Sequence, residues 1–204
     1  MRTYDISLQL QPKLAGWPGD TPFQLQWTCR KAGGATVNLS EIRLSVHSGT
    51  HCDAPYHFVD EGQTIEKLAL EPFWGRAQVV DVRGHALIRP EDLGEIDAPR
   101  VLLRTDAWTD FTRFPETIPV MAPDLPPWLA ARGVILIGVD VPSVDALDSK
   151  DLPNHHALGR RSITILESVT LVDVPAGAYE LCALPLKIVG ADGAPVRALL
   201  RESC

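Results

Sequence analysis

The chain has 204 residues, about 1.4 times the ~150 residues of an average domain, which suits one domain with a sizeable core and excludes a lone zinc finger or disulfide knot. Apolar residues make up 45% and charged residues 22%, the balance of a folded globular protein and not of a disordered or membrane one. With 26 acidic against 19 basic residues, a formal charge of -7 and no basic run to track a phosphate backbone, nucleic acid is excluded as a partner.

The first twenty residues carry Asp5, Gln9 and Gln11 among their apolar positions. They never form a continuous apolar stretch, so neither a signal peptide nor a membrane span is expected here, and the chain is placed in the cytoplasm. Period-two alternation at Tyr4, Ile6, Leu8 and Leu10, at Phe23, Leu25 and Trp27, and at Ile42, Leu44 and Val46 reads as a meander of half-buried strands. The runs at 77–82, 100–105, 134–141, 169–174 and 179–186 read as strands covered on both faces. Helices fit around Thr64 to Leu70, around Pro90 to Ile96, over Pro123 to Arg132 before Gly133, and at His155 to Ser162. The 17 prolines and 15 glycines punctuate these segments, and no linker or repeat divides them. The expectation is one strand-rich α+β domain over residues 1–204, with a few helices packed on one side.

Cys29, Cys52, Cys182 and Cys204 are widely spaced with no C-x-x-C pair, which fits buried or incidental thiols and not a disulfide framework.

Three of the six histidines, His47, His51 and His57, fall within eleven residues, with Asp53 among them. Imidazole and carboxylate at this density are the donor set of a metal site. Gly49 and Pro55 argue against a helix, and Ser48 stands where a helical zinc protease would carry its glutamate. In an extended chain residues i and i+2 share a face about 6.6 Å apart, so His51 and Asp53 can chelate together while Cys52 points away. His47 would lie about 13 Å from His51 on a continuous strand, too far for a shared ion, so Ser48-Gly49-Thr50 must bend back, as Gly49 permits. His57, beyond Pro55, is offset toward a substrate. Spacing by itself leaves open which of these is a ligand and which an acid or base.

Glu167 interrupts an apolar run and must be paired, protonated or bound to a cation, with Arg160 or Arg161 as partners in the competing ion-pair reading. His155 and His156 follow Pro153-Asn154, where either is also explained as a surface residue at a helix start. His85 reads as an exposed turn residue. Trp17-Pro18-Gly19-Asp20 is a turn by composition, and its Trp is either an aromatic plug or a platform for an aromatic substrate. Asp140 at the end of a buried strand reads as a turn former, with a role beside a metal site as the alternative.

The segment His47-Ser-Gly-Thr-His51-Cys-Asp53-Ala-Pro-Tyr-His57-Phe58 resembles the H-x-G-T-H-x-D-x-P-x-H-F signature of the metal-dependent cyclase-like hydrolases. Trp17-Pro-Gly-Asp20 is similar to the bacterial kynurenine formamidase branch, and further matches at 138–145, 154–156, 165–167 and 179–186 carry the likeness nearly end to end. The resemblance implies a swivelling β/β/α fold, a homodimer and two zinc ions per subunit, with Mn2+ or another divalent ion as the alternative. Carried over, the pattern makes His47, His51 and Asp53 ligands of one zinc, and has Asp53, Glu167 and one of His155 and His156 hold the second. The spacing of twelve before Glu167 favours His155. His57 becomes the general acid and base, and Trp17 contacts the substrate. Two departures stand out: Cys52 replaces a common aliphatic residue, and Gly159-Arg160-Arg161 follows where relatives often carry another histidine or basic residue.

The implied reaction is hydrolysis of N-formyl-L-kynurenine to L-kynurenine and formate, a step of tryptophan degradation. A zinc ion would lower the pKa of water from 15.7 to about 7 and polarise the carbonyl, while His57 would pass a proton to the departing aryl amine. Two alternatives remain at this level: a related hydrolase opening a cyclic amide such as isatin, and a metal-stabilised protein with no activity.

Overall fold

In the computed structural model, which describes residues 1–202, the apolar runs assemble into one nine-stranded mixed sheet. In chain order the strands and helices are β1 (Thr3–Asp5), β2 (Gln24–Cys29), β3 (Leu39–Arg43), β4 (His51–Asp53), β5 (Trp74–Asp81), β6 (Leu87–Ile88), α1 (Pro90–Leu93), β7 (Arg100–Arg104) and β8 (Val120–Met121). They continue with α2 (Leu125–Ala130), β9 (Leu136–Val139), α3 (Pro153–Gly159), β10 (Thr164–Glu167), β11 (Gly177–Cys182), β12 (Gly193–Pro195) and β13 (Leu199–Glu202). The large sheet runs β1-β13-β11-β5-β7-β9-β10-β4-β12. Strands β5, β7, β9 and β10 are mutually parallel, and antiparallel strands extend the sheet at both edges.

The central strands are covered on both faces because their side chains alternate between two cores. Leu102 belongs to one core while Val101 and Leu103 belong to the other, and Leu166 and Ile165 divide in the same way. Leu93 of α1, Leu125 and Leu129 of α2 and Leu158 of α3 all enter the second core, so the helices lie on one face. Each such fully buried leucine contributes about 1.5–3 kcal/mol. This is the strand-rich α+β arrangement expected from the sequence.

Local expectations were overturned at several points. The meander over the first fifty residues does not form: β2 and β3 pair only with each other, and Leu25, Trp27, Leu39 and Ile42 are exposed. Period-two alternation records a strand with two unlike faces, but it cannot say whether this chain covers the apolar one. The strand placed at 42–46 ends at Arg43, and His47 lies in a turn. Residues 169–174 carry a single bridge, Ser7 to Val169, in place of a strand, although Val169, Leu171 and Val174 are buried. Burial, not pairing, accounts for their apolar character. The helix expected at 64–70 is one 3-10 turn at Ile65–Lys67, and the helix at 90–96 is one turn ended at Gly94. Cys29, Cys52 and Cys182 are free thiols; Cys204 lies outside the described residues.

Candidate metal centre and active site

The floor of the site is made where β10, β4 and β12 lie side by side. Glu167 sits opposite His51 and Leu166 opposite Cys52, while Gly193 sits opposite Asp53. His51, Asp53 and Glu167 therefore share one face. Cys52, Leu166 and Ala194 point to the other face, into the first apolar core, and burial pushes the Cys52 thiol well above its usual range. Cys52 is a core residue, as the period-two reading required.

His47 reaches this face because the chain turns back between β3 and β4. Gly49 has φ +64°, in the left-handed region where a Cβ is disfavoured. The turn brings the His47 and His51 ring centroids to 4.9 Å. His155 comes from the first turn of α3, across the face. Asp145 accepts the main-chain N–H groups of Asn154 and His155 at 2.8 and 3.1 Å and His155 Nδ1–H at 2.7 Å. His155 is buried, whereas His156 is half-buried and makes an edge contact with Phe58. The fold thus brings His155, not its neighbour, into the site.

Asp53 is the hub of this arrangement. Its Oδ1 lies 3.1 Å from His47 Nδ1 and 3.5 Å from His51 Nε2, and its Oδ2 lies 3.3 Å from His155 Nε2. Glu167 Oε2 lies 3.5 Å from His51 Nε2, and Oε1 lies 3.6 Å from His155 Nε2. Both Asp53 oxygens are buried without a hydrogen bond among the described residues. A buried carboxylate with neither oxygen satisfied is costly, and here each oxygen faces a different set of imidazoles. Such a donor set, a buried carboxylate faced by imidazoles on both oxygens, fits a divalent metal centre.

The charge balance agrees. Burial disfavours a protonated His47, but the Asp53 and Asp192 carboxylates outweigh it and raise its pKa to about 9. His155 behaves alike: Asp145, Asp53 and Glu167 overcome burial and raise it to about 10. Burial would raise Asp53, yet His155, His47 and His51 hold its carboxyl well below the usual range. In the metal-free protein, protons stand in for cations.

His57 follows in the 3-10 turn Pro55–His57, with its ring centroid 4.1 Å from that of His47 and 6.1 Å from that of His155. Ligand atoms of three sets lie within 4.8 Å of one another: His47, His51 and Asp53; Asp53, His57 and His155; and His47, His57 and Asp192. A pocket of about 310 Å³ opens over this floor. Trp17, Trp108, Phe114, Pro142 and Leu152 form its apolar walls, and His47, His51, His57, His155 and Glu167 its polar end. Trp17 packs edge-on against Phe114 at 5.2 Å. Of the seven residues that the resemblance assigns to the site, Trp17, His47, His51, His57, His155 and Glu167 line this pocket, and Asp53 lies against His47, His51 and His155.

Other candidates go elsewhere. Glu167 makes no ion pair with Arg160 or Arg161; its Oε1 accepts the Val144 N–H at 3.0 Å. Asp140 accepts the N–H groups of Thr105 and Asp106 and the Thr105 hydroxyl, so it links the ends of β7 and β9 at long range in place of the local turn expected of it. His85 is exposed beside Asp92. Sequence reasoning gave no role to Asp145 or Asp192, whose carboxylates hold the outer nitrogens of His155 and His47. A buried imidazole needs such a partner, but a separation of 145 residues between His47 and Asp192 leaves no local trace.

A family model described as "Putative cyclase" matches residues 4–146. The kynurenine formamidase of Geobacillus thermodenitrificans is 48% identical over 201 residues, covering 97% of this chain and 96% of its own. That of Salinibacter ruber is 48% identical over 209 residues, covering 100% and 99%. Among solved structures, a potential metal-dependent hydrolase with cyclase activity aligns with TM-score 0.78 at 28% identity, covering 99% of both chains. Isatin hydrolase A from Ralstonia solanacearum aligns with TM-score 0.84 at 26% identity, covering 98% of this chain and 92% of its own. No helix among the described residues is long and apolar enough to cross a membrane. The chain belongs to the cyclase family of metal-dependent hydrolases and, within it, to the kynurenine formamidases.

Proposed function

We propose that this enzyme hydrolyses N-formyl-L-kynurenine to L-kynurenine and formate, with zinc as its metal. The observation that carries this reading is the unsatisfied Asp53 carboxylate, set between His47 and His51 on one side and His155 and Glu167 on the other, beneath an aromatic pocket. An all-nitrogen-and-carboxylate donor set suits zinc, with manganese as the competitor. We assign one ion to His47, His51 and Asp53, and a second to Asp53, His155 and Glu167. When bound, such ions activate water for attack and polarise the formyl carbonyl.

The rest falls to the chain's own side chains. Trp17 and Phe114 form an aromatic wall against which the aniline ring of the substrate stacks, holding the formamide over the polar end. His57 lines the same pocket and is partly exposed. It takes one proton of the attacking water and delivers it to the aryl nitrogen as the C–N bond breaks, so that a neutral amine and formic acid leave, the acid releasing its proton to solvent as formate. Such a group commonly contributes about 10²- to 10⁴-fold.

We take the active form to be a homodimer. The β2–β3 hairpin supports this, since a two-stranded ribbon is marginal by itself in water and this one exposes Leu25, Trp27, Leu39 and Ile42. A second copy of the chain would cover them.

Zinc-loaded protein assayed on formylkynurenine and on isatin, with and without chelator, tests the function. We expect formylkynurenine to be consumed with kcat/KM at least about tenfold above isatin, a difference of about 1.4 kcal/mol in barrier, and chelator to abolish turnover. Faster opening of isatin would transfer the site to cyclic amides, and chelator-resistant turnover would remove the metal from the mechanism.

A further inference from the structure

We infer that Asp192 is a positioning residue that sets the ring nitrogens of His47 and His57 together, a role that rests on the hydrolytic reading above. A single oxygen, Asp192 Oδ2, lies 2.9 Å from His47 Nε2 and 3.2 Å from His57 Nδ1. An ionised carboxylate can only accept, so each of those nitrogens carries the N–H. In a neutral imidazole that choice leaves the lone pair on the opposite nitrogen.

The consequences for the two rings differ. His47 is left with its lone pair on Nδ1, the atom 3.1 Å from Asp53 Oδ1 and so on the side of the metal position. Ligating histidines commonly donate their other N–H to a carboxylate in this way, and such partners orient the ring. His57 is left with its lone pair on Nε2, the form required to accept a proton there. One carboxylate therefore presets a metal ligand and the acid-base group, and because the rings lie 4.1 Å apart, turning one disturbs the other.

The main chain holds Asp192 where this needs it. Its carbonyl accepts the Ala54 N–H at 2.9 Å, and the next residue, Gly193, pairs with Asp53 across β12 and β4. A Cβ at position 193 would stand 2.8 Å from His47 Cε1 and 3.0 Å from the Cys52 carbonyl. Glycine is what lets the His47 ring lie over β12 within reach of its neighbour's carboxylate. The Asp192 side chain is 41% exposed; its contact with His47 is partly buried, and its contact with His57 lies at the surface of the pocket.

The test uses imidazole ¹⁵N spectra, zinc competition against a chelator, and kinetics, on wild type and Asp192→Ala. We expect His57 to be the Nδ1–H tautomer in the zinc-loaded wild type and a mixture in the variant. Zinc should bind the variant about 10–100-fold more weakly, and at saturating zinc kcat for formylkynurenine should fall about 10–100-fold with KM within about twofold. Unchanged tautomer, zinc affinity and kcat in the variant would overturn the assignment. If the variant does not fold, the wild-type spectrum decides by itself: an Nε2–H form at His57 or an Nδ1–H form at His47 overturns it. Should wild type fail to turn over formylkynurenine, the functional reading falls, while the spectral and zinc measurements still decide the role of Asp192.

Discussion

Asp145 accepts a 2.7 Å hydrogen bond from Nδ1–H of His155, and both side chains are closed to solvent. The same carboxylate also takes the main-chain N–H groups of Asn154 and His155, so it fixes the ring and the start of α3 together. Replacing it by alanine leaves buried donors unanswered. We expect Asp145→Ala to lower the stability of the metal-free protein by about 3 kcal/mol in a denaturant titration. Elemental analysis after dialysis should find one zinc per chain in place of two. Retention of both ions would show that His155 needs no such support.

His57 and Asp53 should separate catalysis from metal binding. We expect His57→Ala to keep its full zinc content while turnover drops about 10²- to 10⁴-fold. Asp53→Ala should lose both zinc and activity, because both of its oxygens lack a hydrogen bond among the described residues and face the imidazoles from opposite sides. Equal zinc loss in the two variants would make His57 a ligand, through the set it forms with Asp53 and His155.

The pH dependence should run in opposite directions with and without metal. His47 is raised to about 9 and His155 to about 10, each above the value of 6.5 that an unperturbed imidazole shows. Their protonation stabilises the metal-free fold fully below pH 6.5, and that contribution disappears as pH climbs through about 9 and 10. Zinc needs both rings neutral, so it must displace these protons. Thermal scans should show the Tm of the chelated protein falling between pH 7 and 10, while zinc affinity rises over the same interval. Calorimetry at pH 7.5 in buffers of different ionisation heat should register release of about two protons per chain. A proton-neutral titration would contradict the charge state described here.

Trp17 is 42% exposed and leans edge-on against Phe114 at the mouth of the pocket. Its removal deletes aromatic surface from the pocket wall while leaving His47, His51, His57, His155 and Glu167 in the chain. We expect Trp17→Ala to raise KM for formylkynurenine about tenfold with kcat little changed. A variant that loses kcat instead would place the indole against the reacting formamide.

Much of this site was legible before the fold was known, because His47, His51, Asp53 and His57 are close in the chain and a bend at Gly49 is all that their convergence needs. The central strands were legible too, since an apolar run buried on both faces carries its own signature at Val101–Leu103 and Leu136–Val139. The hairpin was not. Leu25, Trp27 and Ile42 alternate as core residues do, yet they face outward, because alternation reports the two-sidedness of a strand and not what covers it.

The amino-acid order, then, determined the residue types at the site, the shared face of His51 and Asp53 on one strand and the mixed α+β character, all of which follow from spacings of a few residues. Tertiary structure decided what depends on long separations. It chose His155 over His156 by burying one face of α3, turned Glu167 to the imidazoles and away from the arginines, and brought Asp192 from 145 residues away to His47. The physical reason is that a buried polar group demands a partner wherever the chain can supply one. The sheet order that places β12 beside β4, and not any local pattern, selects which carboxylate that is.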